Sequence, residues 1–224
     1  MESESASNPY RLYFGGSFDP PHVGHVQLPS EVLAKRGDTK GKLIYVPAAR
    51  SPLKAKQPTA DIHRLEMLRI ALRVQPIAEI WTIELDRQGD GEPSYWYQTW
   101  EQVQHQNRPG QDRFLIGADQ ALSMHQWRNY QLFWRDAVVI LRDDFEDAEQ
   151  LLDSLNGLGV WTESELCHWR TLIVKVPMVE VSSTLIRRSL ADPEQRKNPI
   201  IGLDDRVHEY ILEHGLYLTS DYEV

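Results

Sequence analysis

Tyr10-Arg11-Leu12-Tyr13-Phe14-Gly15-Gly16-Ser17-Phe18-Asp19-Pro20-Pro21-His22-Val23-Gly24-His25 is the stretch whose reading decides the fold. Tyr10 to Phe14 reads as a short strand of aromatic and aliphatic residues, and glycines at its carboxyl end let a bulky ligand approach the main chain. The prolines fix the following turn and suit the first positions of a helix, where no N–H is needed. The helix opening after them offers unpaired N–H groups and positive potential, a natural site for phosphate.

Working outward, short β-branched or aromatic runs alternate with segments of helical spacing, the pattern of parallel strands joined by crossover helices. Candidate strands are Tyr10 to Phe14, Lys42 to Val46, Glu79 to Leu85, Arg113 to Ile116, Ala137 to Leu141 and Leu172 to Val176. Most are apolar on both faces, which predicts an α/β sheet covered by helices on each side. Helix starts are expected at Asp61, at Ser182 and at Asp204 or Asp205, with Gly215 as the last C-terminal cap. Arg50 to Ala60 and Arg87 to Pro93 read as surface loops. The polar segment 1–9 reads as a flexible tail, leaving 10–224 as a single domain.

With 24 basic and 33 acidic side chains the formal charge is -9, which repels a polyanion and argues against nucleic acid as the main partner. The single cysteine, Cys167, forms no intramolecular disulfide and builds no cysteine-based zinc site. Neither a secretory signal nor an apolar run long enough for a bilayer is legible, so a cytoplasmic protein with no membrane partner is expected. Trp96, Trp100 and Trp134 are candidates either for the core or for the interface of a homo-oligomer.

His22 and His25 are three apart, so both imidazoles are expected on one side of the first helical turn, facing the strand end. Gly24 between them removes a side chain that would obstruct a ligand or the neighbouring backbone. Core histidines and a zinc module are the alternatives, although zinc would want a third protein ligand that the sequence does not nominate. Pro29 falls in the second turn of this helix and predicts a kink or an early break. Later, Val181-Ser182-Ser183-Thr184-Leu185-Ile186-Arg187 again follows a strand and opens a helix. Its hydroxyls read either as a simple cap or, with Arg187 on the face of Ser183 and Thr184, as a second anion site.

Together the two motifs resemble the nucleotidyltransferase superfamily of the histidine-x-glycine-histidine type. Within it, the whole chain is similar to the bacterial nicotinate-nucleotide adenylyltransferases. The likeness rests on residues 15–25 and 182–187, with Val46-Pro47, Pro52, Lys54, Arg64, Met67, Ser94-Tyr95, Gly117, Asp119, Trp127 and Gly215-Leu216-Tyr217 in order between and after them. The resemblance implies a doubly wound, Rossmann-like sheet and transfer of AMP from ATP, with Mg²⁺, to nicotinate mononucleotide. It implies that His22, His25, Lys54 and Arg187 act on the ATP phosphates. Gly15, Gly16, Ser17, Phe18 and Gly24 would belong to the ATP site, with Ser182, Ser183 and Thr184 in support and Gly117 and Asp119 near the ribose. Ser94, Tyr95, Trp96 and Trp127 would bind the acceptor, Trp127 by stacking on its pyridine ring.

Two departures bear on acceptor choice. Trp96 stands where the family usually has threonine after Ser-Tyr, near the acceptor's carboxylate, and Leu53 interrupts the usual Pro-His-Lys before Lys54. Nicotinamide mononucleotide or phosphopantetheine as acceptor, and a non-catalytic nucleotide-binding paralogue, are the competing readings.

Overall fold

The computed structural model describes residues 9–37, 41–49, 58–87, 94–106, 108–141, 145, 147–177 and 179–219. Among the described residues six parallel strands form one sheet: β1 (Tyr10–Gly16), β2 (Lys42–Pro47), β3 (Ala78–Ile80), β4 (Gln111–Gly117), β5 (Ala137–Leu141) and β6 (Ile173–Lys175). Their order is β3-β2-β1-β4-β5-β6, so the chain winds outward from β1 in one direction and then from β4 in the other. That is the doubly wound arrangement, and its order reverses between β1 and β4, where such sheets bind ligands.

Strand side chains alternate between two apolar layers. Leu12, Leu43, Tyr45, Leu115, Val138 and Ile140 pack against α1 (Val23–Lys35) and α2 (Asp61–Leu72). Tyr13, Ile44, Val46, Phe114, Ile116 and Val139 point the other way, toward α4 (Trp96–His105), α5 (Ala118–Ser123), α6 (Ala148–Gly157) and α7 (Glu163–Leu172), which follow the four-residue α3 (Ile83–Asp86). A third cluster joins α2 to α8 (Ser183–Ala191) and α9 (Asp205–Glu213). The register of β1 on β4 is pinned by Arg11, which donates Nε and Nη2 to the two carboxylate oxygens of its partner Asp112 at 2.6 and 2.9 Å.

Several expectations are corrected. The proposed strand Glu79 to Leu85 ends at Ile80; Ile83–Asp86 is a helical turn, with Thr82 Oγ1 donating to Asp86 at 2.8 Å. The start expected at Asp61 holds: Asp61 is the first residue of α2 after the N-cap Ala60, and its carboxylate accepts from Arg64 at 2.5 Å. Trp100 and Trp134 are 2% and 1% exposed, and all seven tryptophans belong to or pack against one core cluster, so those two offer no interface. Pro29 does not break α1, which runs on to Lys35. The His25 carbonyl that Pro29 leaves without a helical donor accepts instead from the hydroxyl of buried Tyr45 on β2, at 2.9 Å.

Candidate active site

Gly15 and Gly16 end β1 and Gly117 ends β4, so the glycines flank the crevice where the strand order reverses. Between β1 and α1 the loop passes through Phe18, whose φ of 48° is left-handed, and a cis Asp19–Pro20 bond. The Phe18 side chain is 1% exposed; its ring sits edge-on to His25, with centroids 5.1 Å apart. It therefore braces a histidine from below and offers a ligand only its backbone.

Three distant segments hold this loop. Fully buried Arg64 donates to the Ser17 carbonyl at 2.7 Å and the Thr59 carbonyl at 3.0 Å. Buried Asp19 accepts from the Tyr217 hydroxyl at 2.5 Å and from the Thr59 N–H at 3.0 Å. Arg187 donates to the Asp19 carbonyl at 2.7 Å, and Ser183 to the Pro20 carbonyl at 2.8 Å.

The two histidines meet as expected, although only one is in the helix. His22 is the extended N-cap of α1 and His25 its third residue, and their rings stack at 3.7 Å. The His22 N–H donates to His25 Nδ1 at 3.2 Å, so a neutral His25 carries its proton on Nε2. A side-chain carbon on Gly24 would lie 3.1 Å from the His22 ring, so this glycine makes room for the stack. The α1 terminus offers fewer free donors than the sequence suggested: Val23 N–H donates to the Gly202 carbonyl, and His25 N–H to that of His22, each at 2.9 Å.

At α8 the cap reading of the hydroxyls holds. Ser182 is the N-cap and accepts from Leu185 N–H at 3.2 Å, while Thr184 accepts from Arg187 at 3.2 Å. Arg187 and the histidines are thus tied to the same loop, Asp19 to His22, from two helix starts. Among the described residues no group of three His, Cys, Asp or Glu side chains could hold a metal ion. Lys54 lies outside the described residues.

On the other side of the crevice is a cavity of about 410 Å³. Gly15, Gly16 and Ser17 form part of its wall, and Ser94, Tyr95, Trp96 and Trp127 line it together, as the resemblance implies for an acceptor site. The Trp96 ring lies so close over Gly15 that a side-chain carbon there would sit 2.8 Å from it, which is why only glycine fits. Trp127 leaves a single 3-10 turn, Met124–Gln126, and packs on Phe133. Gly117 caps α5, its N–H donating to Gln120 at 3.0 Å, and Asp119 is exposed beside it.

The sequence reading missed the supports. Buried Glu84 lines the cavity and accepts from Thr99 at 2.8 Å; Thr99 in turn accepts from Arg87 at 2.6 Å. Burial raises the Glu84 carboxyl above its usual range, with the Thr99 and Ser94 hydroxyls and the Arg87 charge pulling it back. Tyr45 and Arg64 were likewise unassigned to the loop they hold; Pro29, a helix breaker inside a helix, was the one local signal that a partner for the His25 carbonyl had to exist.

Arranged this way, the site can take a polyphosphate beside the histidines and a flat ring among the aromatic walls. Comparisons agree. The cytidylyltransferase-like family matches residues 13–189. The nicotinate-nucleotide adenylyltransferase of Bacillus subtilis is 31% identical over 209 residues, covering 91% of this chain and 96% of that protein. The Plasmodium falciparum nicotinic acid mononucleotide adenylyltransferase complexed with NaAD superposes with a TM-score of 0.65 at 18% identity, covering 93% of this chain and 97% of that one. The same enzyme complexed with APC gives 0.63 at 18% identity over 94% and 97%. The chain therefore belongs to the cytidylyltransferase-like family and, within it, to the nicotinate-nucleotide adenylyltransferases.

Proposed function

We propose that the protein transfers the adenylyl group of ATP to the phosphate of nicotinate mononucleotide, giving nicotinate adenine dinucleotide and pyrophosphate in NAD synthesis. One observation carries the reading: a single loop, Gly15 to His25, joins the His22, His25 and Arg187 cluster to an aromatic-walled cavity at the point where the strand order reverses. The activity named for the Bacillus relative and the dinucleotide held by the Plasmodium enzyme support the same substrates.

The acceptor's phosphate is an anion near neutral pH and needs no base to become a nucleophile. One of its oxygens bonds to the α-phosphorus, the bond to the α,β-bridging oxygen breaks, and pyrophosphate leaves with the electron pair. Catalysis is then positioning plus neutralisation of charge. His25, with Nδ1 engaged by the His22 N–H, carries its neutral-state proton on Nε2; Arg187 is held by the Asp19 carbonyl and adds a fixed positive charge. Lys54 and Mg²⁺ complete the reading, the ion arriving on the ATP phosphates, which supply oxygens a magnesium ion prefers. ATP and a mononucleotide are the partners, in the cytoplasm.

The test is pyrophosphate release from MgATP with nicotinate and nicotinamide mononucleotides offered in parallel. The reading expects turnover with a clear preference for the nicotinate form. Preference for the amide would overturn the acceptor, and silence with both would overturn the activity.

A further inference from the structure

Six aromatic side chains, Tyr95, Trp96, Tyr97, Phe114, Trp127 and Phe133, line the cavity and suit a flat ring. Its described lining contains one carboxyl, Glu84, and one cation, Arg128. Glu84 is buried and already engaged by Thr99. Arg128 is exposed, and its guanidinium lies over the rings of Tyr95 and Tyr97, 5.3 and 5.6 Å from their centroids. None of the ion pairs among the described residues includes Arg128.

A guanidinium resting on aromatic faces keeps the N–H donors of its edge available, and the rings hold a long side chain that would otherwise lose rotamer freedom on binding. The backbone contributes too. Trp127 N–H donates to the Met124 carbonyl at 2.9 Å, and Asn129 turns the chain in the left-handed region at φ 56°, which asparagine tolerates. Arg128 is thereby carried on the same turn as Trp127. Among the described lining residues, Arg128 is the cation available to an acid group on a ring stacked among these aromatics.

We infer that Arg128 is the specificity residue that recognises the ring carboxylate of the acceptor, favouring a pyridine acid over its neutral amide. This rests on the proposed adenylyl transfer. The planar fork matches a carboxylate with two parallel hydrogen bonds, whereas a carboxamide offers one acceptor and no charge.

The experiment compares kcat/KM for nicotinate and nicotinamide mononucleotides in wild type, Arg128→Gln and Arg128→Lys. Because the side chain is exposed, the variants are expected to fold, and thermal melting checks this. The ratio of nicotinate to nicotinamide kcat/KM is expected to fall about tenfold or more in Arg128→Gln, consistent with loss of a charged hydrogen bond. Arg128→Lys, which keeps charge without the fork, should fall between. An equal loss with both acceptors would overturn the assignment, since it would point to their shared phosphate or to a structural role, and an unchanged ratio would overturn it as well. Should Arg128→Gln fail to fold, the ratio in Arg128→Lys decides by the same criteria. Wild-type turnover of neither acceptor would overturn the functional reading and this assignment with it, an outcome distinct from an active enzyme whose ratio ignores Arg128.

Discussion

Asp19 connects more of the site than any residue the motif alone singles out. Its carboxylate joins Tyr217 and Thr59, and its carbonyl holds Arg187, while Phe18 before it keeps a left-handed φ of 48°. For a bulky side chain that conformation costs roughly 1–3 kcal/mol and persists only where the surroundings fix it. Glu84 permits a sharper test at this scale. Burial is the largest influence on its carboxyl and raises it above the ordinary 4.5. The folded chain thus binds this proton more tightly than the unfolded chain. Its stabilising effect is complete below the ordinary value and is lost as pH rises through the folded one. Glu84→Gln should therefore gain in melting temperature relative to wild type as pH is raised from about 4 to about 7. Melting curves that keep a constant offset across that range would contradict the role given to burial.

Among the elements, α1 carries its proline without a break because β2 supplies the missing donor. Tyr45→Phe would leave the His25 carbonyl without that bond, at a cost of about 1–3 kcal/mol for an unsatisfied buried acceptor. A drop in kcat of about tenfold is expected if the misplacement reaches the imidazole. Pro29→Ala restores the helix's own N–H, so the loss should shrink in the double variant; steady-state kinetics of the four proteins check the coupling. Equal losses with and without Pro29 would show that Tyr45 acts otherwise. The legible elements were those with local signals: the strand and glycine turn at Gly15–Gly16, the Ser182 cap, the Asp204 cap with Gly215 beyond α9 at φ 58°. Glu79 to Leu85 misled because its apolar alternation suits a strand, while the side-chain bond from Thr82 to Asp86 and the backbone bonds from Asp86 to Thr82 and from Arg87 to Ile83 close a helical turn.

Over the whole molecule, the site is assembled by contacts that no local pattern announces. Tyr217 reaches Asp19 across 198 residues, and Arg64 reaches Ser17 across 47. Periodicity and capping speak of neighbours in sequence, so these ties were invisible beforehand, whereas the stacking of His22 on His25, the tie of Arg187 to their loop and the place of Trp127 in the cavity wall involve residues that motif and resemblance had singled out. The sheet order then explains why they meet: the reversal between β1 and β4 leaves a crevice at the strand ends, and α8 and α9 pack on α2 to bring Arg187 and Tyr217 to its edge. Among the described residues no helix is long and apolar enough to cross a membrane.

The central claim is that the bond broken in ATP lies between the α- and β-phosphates. The most direct test is a single-turnover reaction with nicotinate mononucleotide and ATP labelled in parallel at the α- and γ-phosphates, with products separated by chromatography. The account predicts α-label in a dinucleotide and γ-label in pyrophosphate. Transfer of γ-label to the acceptor, or its release as inorganic phosphate with α-label left in ADP, would contradict it.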